Sequence, residues 1–290
     1  MDKKAIERAR TLAEIAIRNM PRLIDKIRYR RKPISLKSCY SSLGGYHLDI
    51  GVYDYFVEKN IASFKQHLYV ASRLKLASTD LDSYQQFETC TDIYFALLSD
   101  SQEVINAMAC LETPELLRDR HNPLSPHFIV HMWQLAILGD YEALDTKIEK
   151  LAKNGRKAER ELAAKRQDFF SLLIRSDKQG LEDLLLREVK KKMGNPLVED
   201  FIAETSTYRT KLCWFKGIPV QIESPLVPME LMPIKPLDHY NDVYDFLRPD
   251  WVPLRENWFA SMKHRFKERQ EFRSNVGKLA KPLPKFPNKD

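Results

Sequence analysis

His127 and His131 stand four residues apart, a spacing that brings two imidazoles to one face of a helix and, with a third ligand, can hold a metal ion. No third ligand follows at a suitable spacing, and prolines separate His121 from the pair, so no metal site is expected. Asp80 with Asp82 and Glu182 with Asp183 are acidic pairs of the kind that do acid–base work, but residues one or two apart on a helix do not face each other. The phosphate-cradling GxxxxGK and GxGxxG loops, the GxSxG nucleophile elbow and the HExxH zinc pair are all missing. Cys39, Cys90, Cys110 and Cys213 form no CxxC and read as unpaired thiols of a reducing compartment. Cys90 and Cys110 lie in apolar helical stretches, where a thiol is inert. The residues thus predict no enzyme, no cofactor and no metal, and they move attention from sites to surfaces.

The surface candidates come from an internal repeat. Three stretches run as an apolar helix, a tight turn at an aspartate and a second amphipathic helix: Ile93 to Asp100 followed by Glu103 to Leu111, His131 to Asp140 followed by Tyr141 to Leu151, and Phe169 to Asp177 followed by Leu181 to Val189. An aspartate placed there can cap the following helix by accepting hydrogen bonds from its free N–H groups. A period near forty residues is that of helical-hairpin arrays, whose units share a core by stacking. Stacked hairpins would line Asp92, Asp100, Glu103, Asp140, Glu142 and Asp145 along one edge as an acidic rim, with Tyr141 among them and Tyr94 and Trp133 nearby. Aromatics of this kind anchor many interfaces, although Trp133 is expected between helices.

The elements that must carry these residues are helical. The chain has 290 residues, 43% apolar and 30% charged, with only 9 glycines, a composition that favours helix interiors and starves β-turns. Periodicity from Ile6 to Ile17 predicts a first helix, Pro21 opens a second running to about Arg31, and Ser35 to Leu43 a third that Gly44–Gly45 should stop. A long helix is expected from Val52 to about Leu76, and another from about Pro196 to Trp214. Ten of the sixteen prolines lie from Pro219 onward, so Ile218 to Leu237 should be an extended strap across the bundle. Leu212 to Ile222 offers a small hairpin as an alternative, and short helices are expected over Tyr240 to Leu247 and Leu254 to about Phe272. The expected organisation is one all-α domain over 1–277: basic helices in 1–37, hairpins in 50–193, and a helix with the proline-rich strap in 195–277. A flexible basic tail is expected over 278–290.

Charge is unevenly spread. The formal net charge is +7, yet 38–153 holds 9 Lys/Arg against 16 Asp/Glu, while 1–37 holds 12 against 4 and 251–290 holds 10 against 4. A nucleic-acid binder concentrates basic residues on its working surface, whereas an acidic middle suits a basic protein partner. The N-terminus has no apolar signal core, and Ile129 to Leu138 is half the length of a membrane span, so the expected location is the cytoplasm with no membrane partner.

The segments Met132-Trp-Gln-Leu-Ala-Ile-Leu-Gly-Asp140-Tyr-Glu-Ala-Leu144 and Glu223-Ser-Pro-Leu-Val-Pro-Met-Glu-Leu231 carry a resemblance. Over roughly 50–250 the chain resembles the helical immunity proteins of bacterial polymorphic toxin systems, most closely the family numbered 49. The resemblance implies a non-catalytic antidote that binds a cognate toxin and blocks its active site or substrate access. It transfers no functional residues one by one. The candidate toxin-binding residues therefore stay those of the rim: Asp92, Asp100, Glu103, Asp140, Tyr141, Glu142 and Asp145. The competing readings are a helical-repeat adaptor or chaperone, and a nucleic-acid binder using the basic segments 1–37 and 251–290.

Overall fold

The computed structural model describes residues 3–30, 33–81, 91–189 and 201–254, with a few further positions between 259 and 270. Among these residues it is all α, twelve helices without a strand. The expected tail over 278–290, most of the helix from Leu254 to Phe272, Asp82 and Cys90 lie outside the described residues.

Helix α1 (Lys3–Tyr29) buries Ala5, Ala9, Ala13, Ala16 and Ile27, a stripe at helical spacing whose small side chains let α2 approach closely. It runs straight through Pro21, where two helices were expected. Proline removes the bond to the carbonyl four residues back, which here is that of Ile17. Ile17 and Pro21 are both exposed, so the freed carbonyl lies on the solvent side, where its loss is tolerated.

Helix α2 (Leu36–Phe56) starts at Ser35, whose hydroxyl accepts from the Ser38 amide, and continues through Gly44–Gly45 rather than stopping there. The reason is packing. A Cβ at Gly44 would sit 3.6 Å from the Ala71 carbonyl, and one at Gly51 only 3.1 Å from the Cβ of His67, so these glycines let α2 lie against α3 (Ile61–Leu81). The expected single helix from Val52 to Leu76 is broken at 57–60. Lys59 takes φ +57, and the Asn60 side chain caps the new start by accepting from Ser63.

The central layer is α4 (Thr91–Ser99), α5 (Gln102–Ala109), α6 (Pro114–Asp119), α7 (Pro126–Leu138), α8 (Tyr141–Asn154), α9 (Lys157–Ala164), α10 (Phe169–Ile174) and α11 (Lys178–Glu188). These include the three expected hairpins. Helix α7 is apolar nearly all round and is the middle of the core. Trp133 is 1% exposed, with ring centroids 4.8 Å from Tyr94 and 6.0 Å from Phe169, so it is packing material as expected.

Helix α12 (Glu204–Phe215) ends the helical body; it was expected from about Pro196, but Phe201 to Ala203 is not helical and 196–200 lie outside the described residues. No hairpin forms over Leu212 to Ile222, because α12 continues to Phe215 and Gly217, at φ +78, turns the chain into extended structure. The strap over Ile218 to Leu237 is extended as expected, interrupted by a turn at Pro225–Leu226 and a 3-10 turn at Met229–Leu231. Beyond it, Tyr240 to Leu247 is not the helix expected but extended chain closing in a 3-10 turn at Asp245–Leu247. Its side chains serve long-range bonds instead. No helix among the described residues is long and apolar enough to cross a membrane.

Candidate functional site

The seven rim candidates divide into two groups. Asp92, Asp100 and Glu103 face α3: Asp92 pairs with Lys75 at 3.2 Å, and Glu103 pairs with Arg73 and accepts from the Tyr69 hydroxyl at 3.4 Å. Asp140, Tyr141, Glu142 and Asp145 belong to the head of α8, which packs on α7, α9 and α10. Asp140 caps α8 by accepting from the Ala143 amide at 3.1 Å, Glu142 is exposed, and Asp145 pairs with Arg166. Tyr141 is partly buried, with the Lys216 ammonium 5.5 Å from its ring centre.

Asp100 is the correction. It does not cap its helix and does not sit on a rim, because it is 3% exposed and its carboxylate is buried. The turns explain why. In the second and third hairpins a left-handed residue ends the first helix, Gly139 at φ +79 and Ser176 at φ +53, and the aspartate after it caps the next. In the first hairpin Asp100 is itself the left-handed residue, at φ +60, and Ser101 takes the cap position. A shift of one residue turns the side chain inward.

There it meets two lysines. Lys65 of α3 is 2.7 Å from one carboxylate oxygen of Asp100, and Lys211 of α12 is 2.6 Å from the other. The side chains of Lys211 and Asp100 are wholly buried. Such a group survives burial only when nearly every polar atom is satisfied. The remaining partners come from the strap. Lys211 donates to the carbonyls of Leu231 at 2.7 Å and Met232 at 3.2 Å, Lys65 donates to that of Lys235 at 2.6 Å, and the Lys235 amide donates back to Asp100 at 3.3 Å. Burial pushes the Lys211 ammonium down to about 8, against the opposing pull of Asp100.

A second set of bonds holds the next stretch. The Tyr240 hydroxyl donates to the Ser99 carbonyl, and Gln66 bonds the backbone of Asn241 in both directions. Tyr69 donates to Asp242 at 3.0 Å and Arg28 to Asp245 at 2.9 Å. Between them, His47 and His67 meet through their Nδ1 atoms at 2.7 Å, and His47 Nε2 lies 2.7 Å from the Tyr244 hydroxyl. One proton arrangement satisfies the row: Tyr244 donates to His47, His47 donates to His67, and His67 turns its Nε2–H toward Asp54, 3.6 Å away. Both imidazoles are then neutral. Burial, then repulsion from His67, drives His47 down to about 3, and burial lowers His67 against the pull of Asp54.

No family model, curated protein or solved structure matches the chain. The geometry therefore stands alone. The buried polar groups just described are consumed in fastening the strap, and the apolar gap between α2, α3, α4 and α12 has about 20 Å³, room for about one water. Among the described residues no three His, Cys, Asp or Glu side chains are arranged to hold a metal. His127 and His131 diverge: His127 is buried with Nδ1 3.9 Å from Asp119, while His131 stacks edge-on to His121 with centroids 6.3 Å apart. Cys39 and Cys213 are buried and Cys110, expected in an apolar helix, is exposed at the end of α5. Sequence reading missed Lys65, Lys211, His47, His67 and Tyr244. One signal for the clasp was available: the first turn reads Leu-Ser-Asp-Ser, with a capping residue after the aspartate, where the second reads Leu-Gly-Asp-Tyr.

Proposed function

We propose that this chain is an immunity protein: it binds a cognate protein toxin and neutralises it by occlusion, without chemistry of its own. What carries the reading is the head of α8. There Asp140 and Glu142 are exposed, Asp145 is partly so, and Tyr141 lies between them on a helix whose start is fixed by its own aspartate cap. A preorganised acidic edge with an aromatic suits a basic partner, since the side chains lose little freedom on docking. Burial takes Asp100 and most of Asp92 out of the contact, and the head of α8 is favoured over the exposed Glu103 because it adds Tyr141 to its carboxylates.

Co-expression with the product of the neighbouring gene tests the function: growth rescue together with a complex that survives purification is expected, and toxicity without rescue overturns the reading. Charge reversal tests the surface. Glu142→Lys with Asp145→Lys gives up the half-exposed pair of Asp145 with Arg166 but no fully buried contact, and is expected to weaken the complex at least tenfold, about 1.4 kcal/mol, and to flatten its salt dependence. Unchanged affinity in the folded double variant rules out this end of α8.

A further inference from the structure

The acidic middle of the sequence contains, once folded, a concentration of positive charge. Arg120 and His121 at the end of α6, His131 on α7 and Lys147 and Lys150 on α8 lie close enough that Arg120, Lys147 and Lys150 each act on His121, and Arg120, Lys147 and His121 on His131. Lys147 is 5% exposed, yet its ammonium has no carboxylate partner: it donates to the Arg120 carbonyl and sits 4.1 Å from the centre of the Phe128 ring. Nearby carboxylates are Glu112, already 2.9 Å from Arg120, Asp119, next to Arg120 in the chain and paired with Arg118, Glu115 of α6, with one buried oxygen unpartnered, and Asp140, whose charge acts on His131. Two buried nitrogens, Nδ1 of His131 and Nε of Arg120, have no hydrogen-bond partner.

Buried polar atoms without partners are rare, and each needs an explanation. Here they coincide with cations that repel one another at close range. Two imidazoles suggest a metal, but Arg120, Lys150 and the buried amine of Lys147 beside them disfavour a cation and favour its opposite. We propose that this cluster is a binding site for a phosphoryl oxyanion, with exposed His121 and Lys150 at its mouth and Lys147, His131 and Arg120 supplying charge and donors behind. The dianion would relieve the mutual repulsion and satisfy the nitrogens left open, by the charge-assisted bonds that phosphate makes to imidazolium, ammonium and guanidinium groups.

The electrostatics agree with the geometry. Burial, then Lys150 and Arg120, lower the Lys147 ammonium to about 7, and burial, then Lys147, Arg120 and His121, lower His131 to about 4. An anion reverses these causes, so binding should take up protons and strengthen as pH falls from about 8 to about 7, below which inorganic phosphate loses its own second charge.

The test is calorimetric titration of the full chain at low salt with inorganic phosphate, phosphoserine and acetate, with the histidine ring protons followed by NMR. Phosphate or phosphoserine should bind and shift the His121 and His131 signals, and acetate should bind at least tenfold more weakly. Binding of phosphoserine alone marks an ester as the source, and binding of phosphate alone marks the free ion. Lys147→Met, which keeps the stem on Phe128, should weaken binding at least tenfold, and exposed His121→Gln should weaken it severalfold with the fold intact. Acetate binding as well as phosphate, retention of affinity in His121→Gln, or no heat and no histidine shift with any probe overturns the site.

Discussion

The turn at Asp100 and the turns at Asp140 and Asp177 begin from the same local pattern and end in opposite roles. At Asp140 and Asp177 a preceding residue takes the left-handed conformation, leaving the aspartate to cap a helix at the protein surface. At Asp100 the aspartate takes that conformation itself and projects into the body, where Lys65, Lys211 and the Lys235 amide close around it. The first arrangement is local and replaceable. The second joins α3, α4, α12 and the strap through one carboxylate. The lesson is that a cap position and a core position can differ by a single residue of register, and that burial decides what the same side chain contributes.

The largest test of that comparison is to remove each carboxylate. Asp100→Ala leaves two ammonium groups facing each other in a dry site and is expected to cost about 3–5 kcal/mol, the range for breaking a buried ion pair. Asp140→Ala and Asp177→Ala each lose one cap and should cost about 1 kcal/mol. Urea unfolding of the three variants checks the ranking, and equal losses would erase the distinction.

A second expectation concerns acid. His47 is held near 3 in the folded chain, far below the ordinary imidazole value of about 6.5. The unfolded chain therefore binds more protons between those limits, and stability is present above about 6.5 and lost as pH falls toward 3. His131, lowered to about 4, and His67, lowered to a smaller extent, act in the same sense. A pH series of unfolding midpoints should show the decline, and His47→Gln should reduce its slope. A parent slope unchanged in the variant would disconnect the strap from the histidine row.

The smallest effect separates backbone from side chain. Ser176→Gly gives the third turn a residue suited to φ +53 and should move stability by no more than about 0.5 kcal/mol, since relief of strain offsets the added freedom of the unfolded chain. Asp100→Gly grants the same backbone freedom to the first turn, yet should be as damaging as Asp100→Ala. If it proves benign, the conformation and not the carboxylate is what the first turn needs.

These contrasts also show how far the amino-acid order could be read. Apolar periodicity reveals the first half of α1, the three hairpins and the end of α12 but not its start, and proline density reveals the strap, because those signals are local. The passage of α2 through Gly44–Gly45 is not legible, since it depends on Ala71 and Leu74 of a neighbouring helix. The continuation of α1 past Pro21 depends likewise on which side of the helix is wet. The clasp is the hardest case: Lys65 meets a carbonyl 170 positions away, and no spacing rule reaches across that distance. The head of α8 was legible in position and in its cap, while its separation from Asp92 and Glu103 comes from packing that only the folded chain displays.

The bonds made by the strap and by the stretch beyond it, 240–247, bear on the order of assembly. Arg28 waits for a partner 217 residues later, His47 for one 197 later and Gln66 for one 175 later. During synthesis the amino-terminal helices leave the ribosome long before the segment that completes them. A nascent chain ending short of Leu231 lacks the carbonyls that Lys211 and Lys65 use, and one ending short of Tyr244 lacks the partners of His47 and Arg28. These contacts are the most non-local in the fold described, and the entropy of closing such long loops has to be met before they form.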